Sequence, residues 1–135
     1  MALGKPVIFK YKLAAGRLSP MVSAGVQLGS TWQPLELYLD SGATYTILRP
    51  KVAQDLGFEW SRGRKVFVQV GDGSRIPVYL HELAMQIGPS RLKATIGFSD
   101  KLGVGFHLLG RQDVFEHFKI CFHEKRKLVS FQAVR

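Results

Sequence analysis

The 135-residue sequence is poor in several features, and each shortage excludes something. One cysteine, Cys121, cannot form an intrachain disulfide, and no paired-cysteine metal motif is present, a usage that fits a reducing compartment. No apolar run approaches the roughly 18 residues of a membrane span, and the opening MALGKPVIFKYKLAAGRLSP lacks the continuous apolar region of a secretory signal. The expected location is therefore the cytoplasm, with no membrane partner. Acidic residues are also scarce, ten Asp and Glu against nineteen Lys and Arg, for a net charge of +9. Such an excess favours nucleic acid only when it is focused on one face. The basic residues are instead spread along the chain, densest at Arg62, Arg64 and Lys65 and at Lys125, Arg126 and Lys127, so nucleic-acid binding is not expected.

What is present is strand pattern. Apolar residues make up 46% of the chain and charged residues 21%, the composition of an ordinary globular protein. Residues 21 to 28 (MVSAGVQL) and 35 to 39 (LELYL) alternate as strands, with Gly29, Ser30 and Pro34 between them. Lys65 to Val70 and Ile76 to Leu80 form the clearest hairpin, joined by Gly71-Asp72-Gly73-Ser74, where glycine supplies the backbone angles of a tight turn. Leu83 to Ile87 and Leu92 to Phe98 pair around Gly88-Pro89-Ser90, His107 to Leu109 is a short buried strand, and the tail closes as a hairpin with Glu124 to Lys127 at its turn. Two short helices are expected. One opens at Pro50 and stops before Gly57; the other spans Arg111 to Lys119, where Val114, Phe115 and Phe118 have helical spacing. The fold class is all-β, with residues 21–135 forming one domain and residues 1–20 an N-terminal extension, an interface segment or a stretch removed by self-cleavage.

The chemistry-bearing segment is LELYLDSGA. Leu35, Leu37 and Leu39 share one face of the strand, so Asp40 leaves it on the opposite parity beside a Ser-Gly turn. On its own, Asp-Ser-Gly is ordinary turn chemistry. Seventy positions on, the apolar segment His107-Leu108-Leu109-Gly110-Arg111 leads towards the second expected helix. Taken with the glycine-tipped hairpin between them, these motifs in this order resemble the retropepsin-like aspartic peptidases, over about Met21 to Phe131.

The resemblance implies an acid-protease barrel in which Asp40 is the catalytic carboxylate. Ser41, Gly42 and Ala43 complete its turn, and Gly110 and Arg111 belong to the supporting segment, with Arg111 structural rather than catalytic. The hairpin corresponds to a flap that closes over substrate, with Val70, Gly71, Asp72, Gly73 and Ile76 at or near its tip. Together with Leu108 and Ala43, Val70 and Ile76 are candidates to line apolar subsites. Two departures from the family pattern stand out: Asp72 in a tip that is often all glycine, and Gln112 where the family often has Asn or Asp after Gly-Arg.

Peptide hydrolysis by carboxylates needs one group to accept a proton from water while another donates one. Two carboxylates about 3 Å apart share a proton and titrate as a pair. The sequence has a single Asp-Ser-Gly, so the expected assembly is a two-fold homodimer in which Asp40 meets its own copy over an extended peptide substrate, with no cofactor and no metal. The alternative is a catalytically silent module of the same fold that dimerises or binds peptides. A zinc site at His117, Cys121 and His123 lacks a fourth ligand, Ser41 lacks the G-x-S-x-G setting of a nucleophile, and Gly71-x-Gly73 is too short for a dinucleotide loop.

Overall fold

The computed structural model describes residues 3–134 and is built almost wholly of antiparallel and parallel strands. Six of them close a barrel. Strand β4 (Met21–Leu28) pairs with β5 (Thr31–Leu39), and β5 runs parallel to β10 (His107–Leu109). Next, β10 pairs with β6 (Thr46–Leu48), β6 runs parallel to β9 (Ser90–Phe98), and β9 pairs along its full length with β8 (Arg75–Ile87). Closure comes where β8 returns to β4 at Gly25↔Gln86 and Val26↔Met85. Strand β7 (Arg64–Gln69) extends this sheet beyond the barrel by pairing with the first half of β8.

Alternation drives this closure. On β5 the leucines 35, 37 and 39 are buried while Glu36 is exposed, and on β4 Val22, Ala24, Val26 and Leu28 point inward with them. Fully burying one such aliphatic side chain contributes about 1.5–3 kcal/mol. The central strand β9 is buried continuously from Ala94 to Phe98, as expected of a strand flanked on both edges and covered on both faces.

A second sheet sits at the chain ends. Strand β12 (Leu128–Ala133) lies between β1 (Val7–Lys10) and β11 (Phe118–His123), so both of its edges are paired within its own chain. Its inward residues Val129 and Phe131 join the main core. Strands β2 (Lys12–Ala14) and β3 (Arg17–Ser19) form a separate small hairpin.

Three details differ from the sequence expectations. The runs expected to break near His81 are one thirteen-residue strand, β8, whose residues 75–80 pair with β7 and whose residues 79–87 pair with β9. Pro34 lies inside β5 rather than before it. The helix expected over Arg111 to Lys119 is only a 3-10 turn at Phe115–His117, after which Phe118 enters β11. Asp113 breaks that helix: its φ is +64°, a left-handed conformation, and its carboxylate accepts the Thr95 N–H at 2.9 Å. The other expected helix is present as α1 (Lys51–Asp55). Among the described residues, no helix is long and apolar enough to cross a membrane.

Candidate active site

Strand β5 delivers Asp40 as the first residue beyond its last buried leucine. Its backbone folds at once into a tight turn, in which the Ala43 N–H donates to the Asp40 carbonyl at 3.1 Å. The Gly42 N–H donates to Asp40 Oδ1 at 2.9 Å. This is the local side-chain-to-backbone bond that makes Asp a turn residue. Here it also fixes the carboxylate: a Cβ on Gly42 would stand only 3.2 Å from that same oxygen. Asp40 is half-buried, while Ser41 and Gly42 face solvent.

The turn is braced from beneath by the segment after β10. The Asp40 N–H donates to the Leu109 carbonyl at 3.0 Å, the Arg111 N–H to the Ala43 carbonyl at 2.9 Å and the Gln112 N–H to the Thr44 carbonyl at 2.8 Å. Gly110 sits where the two segments cross, and a Cβ there would overlap the Tyr45 carbonyl group. Its N–H donates to the hydroxyl of Thr46, a buried threonine, at 3.0 Å. Sequence reasoning missed Thr46. The available signal was a threonine between Tyr45 and Ile47 opening a short apolar run, which when buried must find a hydrogen-bond partner.

The β7–β8 hairpin ends in a polar tip. Ser74 donates both its N–H, at 2.8 Å, and its hydroxyl, at 2.6 Å, to Asp72 Oδ1. The Ser74 hydroxyl and then its amide hold the Asp72 carboxyl below the usual range. Behind the tip, Val66, Val68, Val70, Ile76, Val78 and Leu80 pack with Ile47, Leu102, Tyr45 and Leu108 as a cluster separate from the main core. Three residues singled out in the sequence, Val70, Ile76 and Leu108, thus meet in one apolar group. Arg111 is exposed, and among the described residues no ion pair includes it. Cys121 is half-buried on β11, and among the described residues no three His, Cys, Asp or Glu side chains gather as a metal site.

Sequence reasoning placed His107 in the supporting strand without giving its side chain a role. As the first residue of β10, it accepts the Arg49 backbone N–H on Nδ1 at 2.9 Å. Burial, and then the Arg49 cation, push its imidazole below the usual histidine range.

Residues 23–106 match the family model for aspartyl protease, and the chain belongs to that family. Its fold is the retropepsin-like one. A retropepsin-like aspartic protease from Rickettsia conorii superposes with a TM-score of 0.65 at 20% identity, covering 98% of this chain and 93% of that one. EIAV protease, in complex with the inhibitor HBY-793, aligns over 69% of this chain and 82% of its own at 21% identity, with a TM-score of 0.48. No curated protein matches.

Proposed function

We propose that the protein is an aspartic endopeptidase whose active site is assembled from two chains, each contributing Asp40. The observation that carries this reading is the setting of Asp40. A carboxylate at a strand end is held by the Gly42 N–H and braced through Leu109, in a chain of the aspartyl protease family. One carboxylate cannot serve as base and acid in the same step, and one Asp-Ser-Gly is all that each chain supplies. In the dimer, one Asp40 takes a proton from water as it attacks the peptide carbonyl. The other, protonated, donates to the carbonyl oxygen and the proton later reaches the departing amine. Ser41 and Gly42 let the two turns approach, and Gly110 and Arg111 brace them. The β7–β8 hairpin acts as the flap over an extended peptide, and Val70, Ile76, Leu108 and Ala43 line apolar subsites. No cofactor or metal takes part in this scheme, so a chelator leaves the rate unchanged.

Asp40→Asn tests the assignment. The amide fills nearly the same space and cannot share the proton, so cleavage falls by at least about a thousandfold while the fold survives. An Asn variant cleaving as fast as the parent would show the assignment to be wrong. A parent without turnover that binds peptides as tightly as the variant would identify a silent binding module instead.

A further inference from the structure

The supporting strand β10 is only three residues long and meets β6 at a single register pair, Leu108↔Ile47. Its far end carries the Leu109 carbonyl that receives the Asp40 N–H. Its near end is fastened differently. Beyond Leu48 the ladder between β6 and β10 ends in a side chain: the Arg49 N–H donates to His107 Nδ1, and Arg49 Nη1 reaches back to the Gly105 carbonyl at 3.3 Å. Phe106, between these two acceptors, packs its ring against Tyr38 of β5, tilted by 44° with centroids 4.9 Å apart.

We propose that His107 is a positioning residue: its neutral imidazole, by accepting the Arg49 N–H, clamps the start of β10 and so holds the turn that presents Asp40. The role in catalysis rests on the peptidase reading above. An imidazole nitrogen that accepts from a backbone amide carries no proton, so the ring is the Nε2–H tautomer. On protonation Nδ1 becomes a donor facing a donor. The bond is lost, and a new positive charge stands beside the Arg49 guanidinium. The other charged groups that line the same open cleft, of about 1290 Å³, are Glu36 on β5, Lys51 at the start of α1 and Asp100 in the 99–106 loop. Glu36 is already engaged by Lys12 at 2.7 Å and by the Ser23 hydroxyl at 2.7 Å. Burial opposes protonation first, and the Arg49 cation adds to it. Acidification below the ordinary histidine range removes the clamp and frees the 99–106 loop and β10, so activity declines on the acid side for a reason outside the carboxylate pair.

Two measurements test this. In the first, NMR follows the His107 ring and the Arg49 and Asp40 amides through a pH titration of the unmodified protein. The expected result is an Nε2–H tautomer at neutral pH, titration below the ordinary value of about 6.5, and both amides shifting with it. A ring protonated on Nδ1 at neutral pH, or an Asp40 amide indifferent to the His107 titration, overturns the proposal whether or not the chain cleaves peptides. In the second, peptidase activity is compared across pH. His107→Leu, which offers no acceptor, loses activity about tenfold to a hundredfold through misplacement of the turn. His107→Asn, whose Oδ1 accepts without titrating, restores most of it and carries activity further to the acid side. An Asn variant with the parent's acid decline, or a Leu variant as active as the parent, contradicts the clamp. A parent without turnover whose amides still follow His107 sinks the peptidase reading and leaves the clamp standing.

Discussion

The Asp40 turn and the β7–β8 hairpin, the two regions the proposed function draws on, are built on opposite principles. The turn carrying Asp40 is crossed by the 107–112 segment, bonded to it through Leu109, Gly110, Arg111 and Gln112, and backed by the main core of the barrel. The β7–β8 hairpin stands outside the barrel on a cluster of its own, and its tip is solvent-exposed from Gly71 to Arg75. The same residue type marks the contrast. Gly110 is required because another backbone passes through the space a side chain would fill, whereas a Cβ on Gly71 or Gly73 would meet nothing within 4 Å. Bracing is concentrated at the turn that carries Asp40 and open space at the hairpin tip, the division that the proposed function asks of a carboxylate to be aimed and a cover to move.

Substitutions can break that contrast, and the largest effect falls at the crossing. Gly110→Ala forces the Tyr45 carbonyl aside and destabilises by about 3 kcal/mol or more, read as a lowered denaturant midpoint. Ile76→Ala empties part of the smaller hairpin cluster, which can settle, so the loss is about 2 kcal/mol in the same assay. At the tip, Gly73 has a φ of +87°, and Gly73→Ala costs about 1 kcal/mol through conformation alone. Gly71→Ala, in open space without that backbone angle, changes stability by less than about 0.5 kcal/mol.

The smallest effect sharpens the comparison through pH. The Asp72 carboxyl is held below its usual value by Ser74, so its contribution is fully present above about pH 4. It is lost as pH falls through the lower folded value, because the unfolded chain then takes up the proton first. Since the tip is exposed, the loss is small: the Ser74 amide resonance moves clearly while the unfolding midpoint shifts only slightly. A large midpoint shift that follows Asp72 would mean that the tip is coupled to the barrel core.

Much of this was legible because its signals are local. The alternation in LELYLDSGA places Asp40 at a strand end, and Gly-Asp-Gly between two β-branched runs gives the hairpin. The rest depends on partners distant in sequence. Nothing near His81 reveals that β8 continues, because what keeps it extended there is β9, paired with it from Tyr79 to Ile87. The apolar spacing of Val114, Phe115 and Phe118 does favour a helix. It is overridden by Asp113, whose backbone turns left-handed as its carboxylate caps Thr95 eighteen residues away. Thr46 and His107 likewise acquire their roles only when the 107–112 segment crosses the turn.

The central claim is that one active site needs Asp40 from two chains, and mixing tests it most directly. Asp40→Asn chains are added to a fixed amount of parent, well above the dimer dissociation constant and with time for exchange, while peptide cleavage is followed. If each site needs both carboxylates, activity per parent chain falls to about one half at equal amounts and to about a tenth at nine parts variant to one, the statistics of random pairing in a two-fold dimer. Activity per parent chain that stays constant across the series would contradict the shared site.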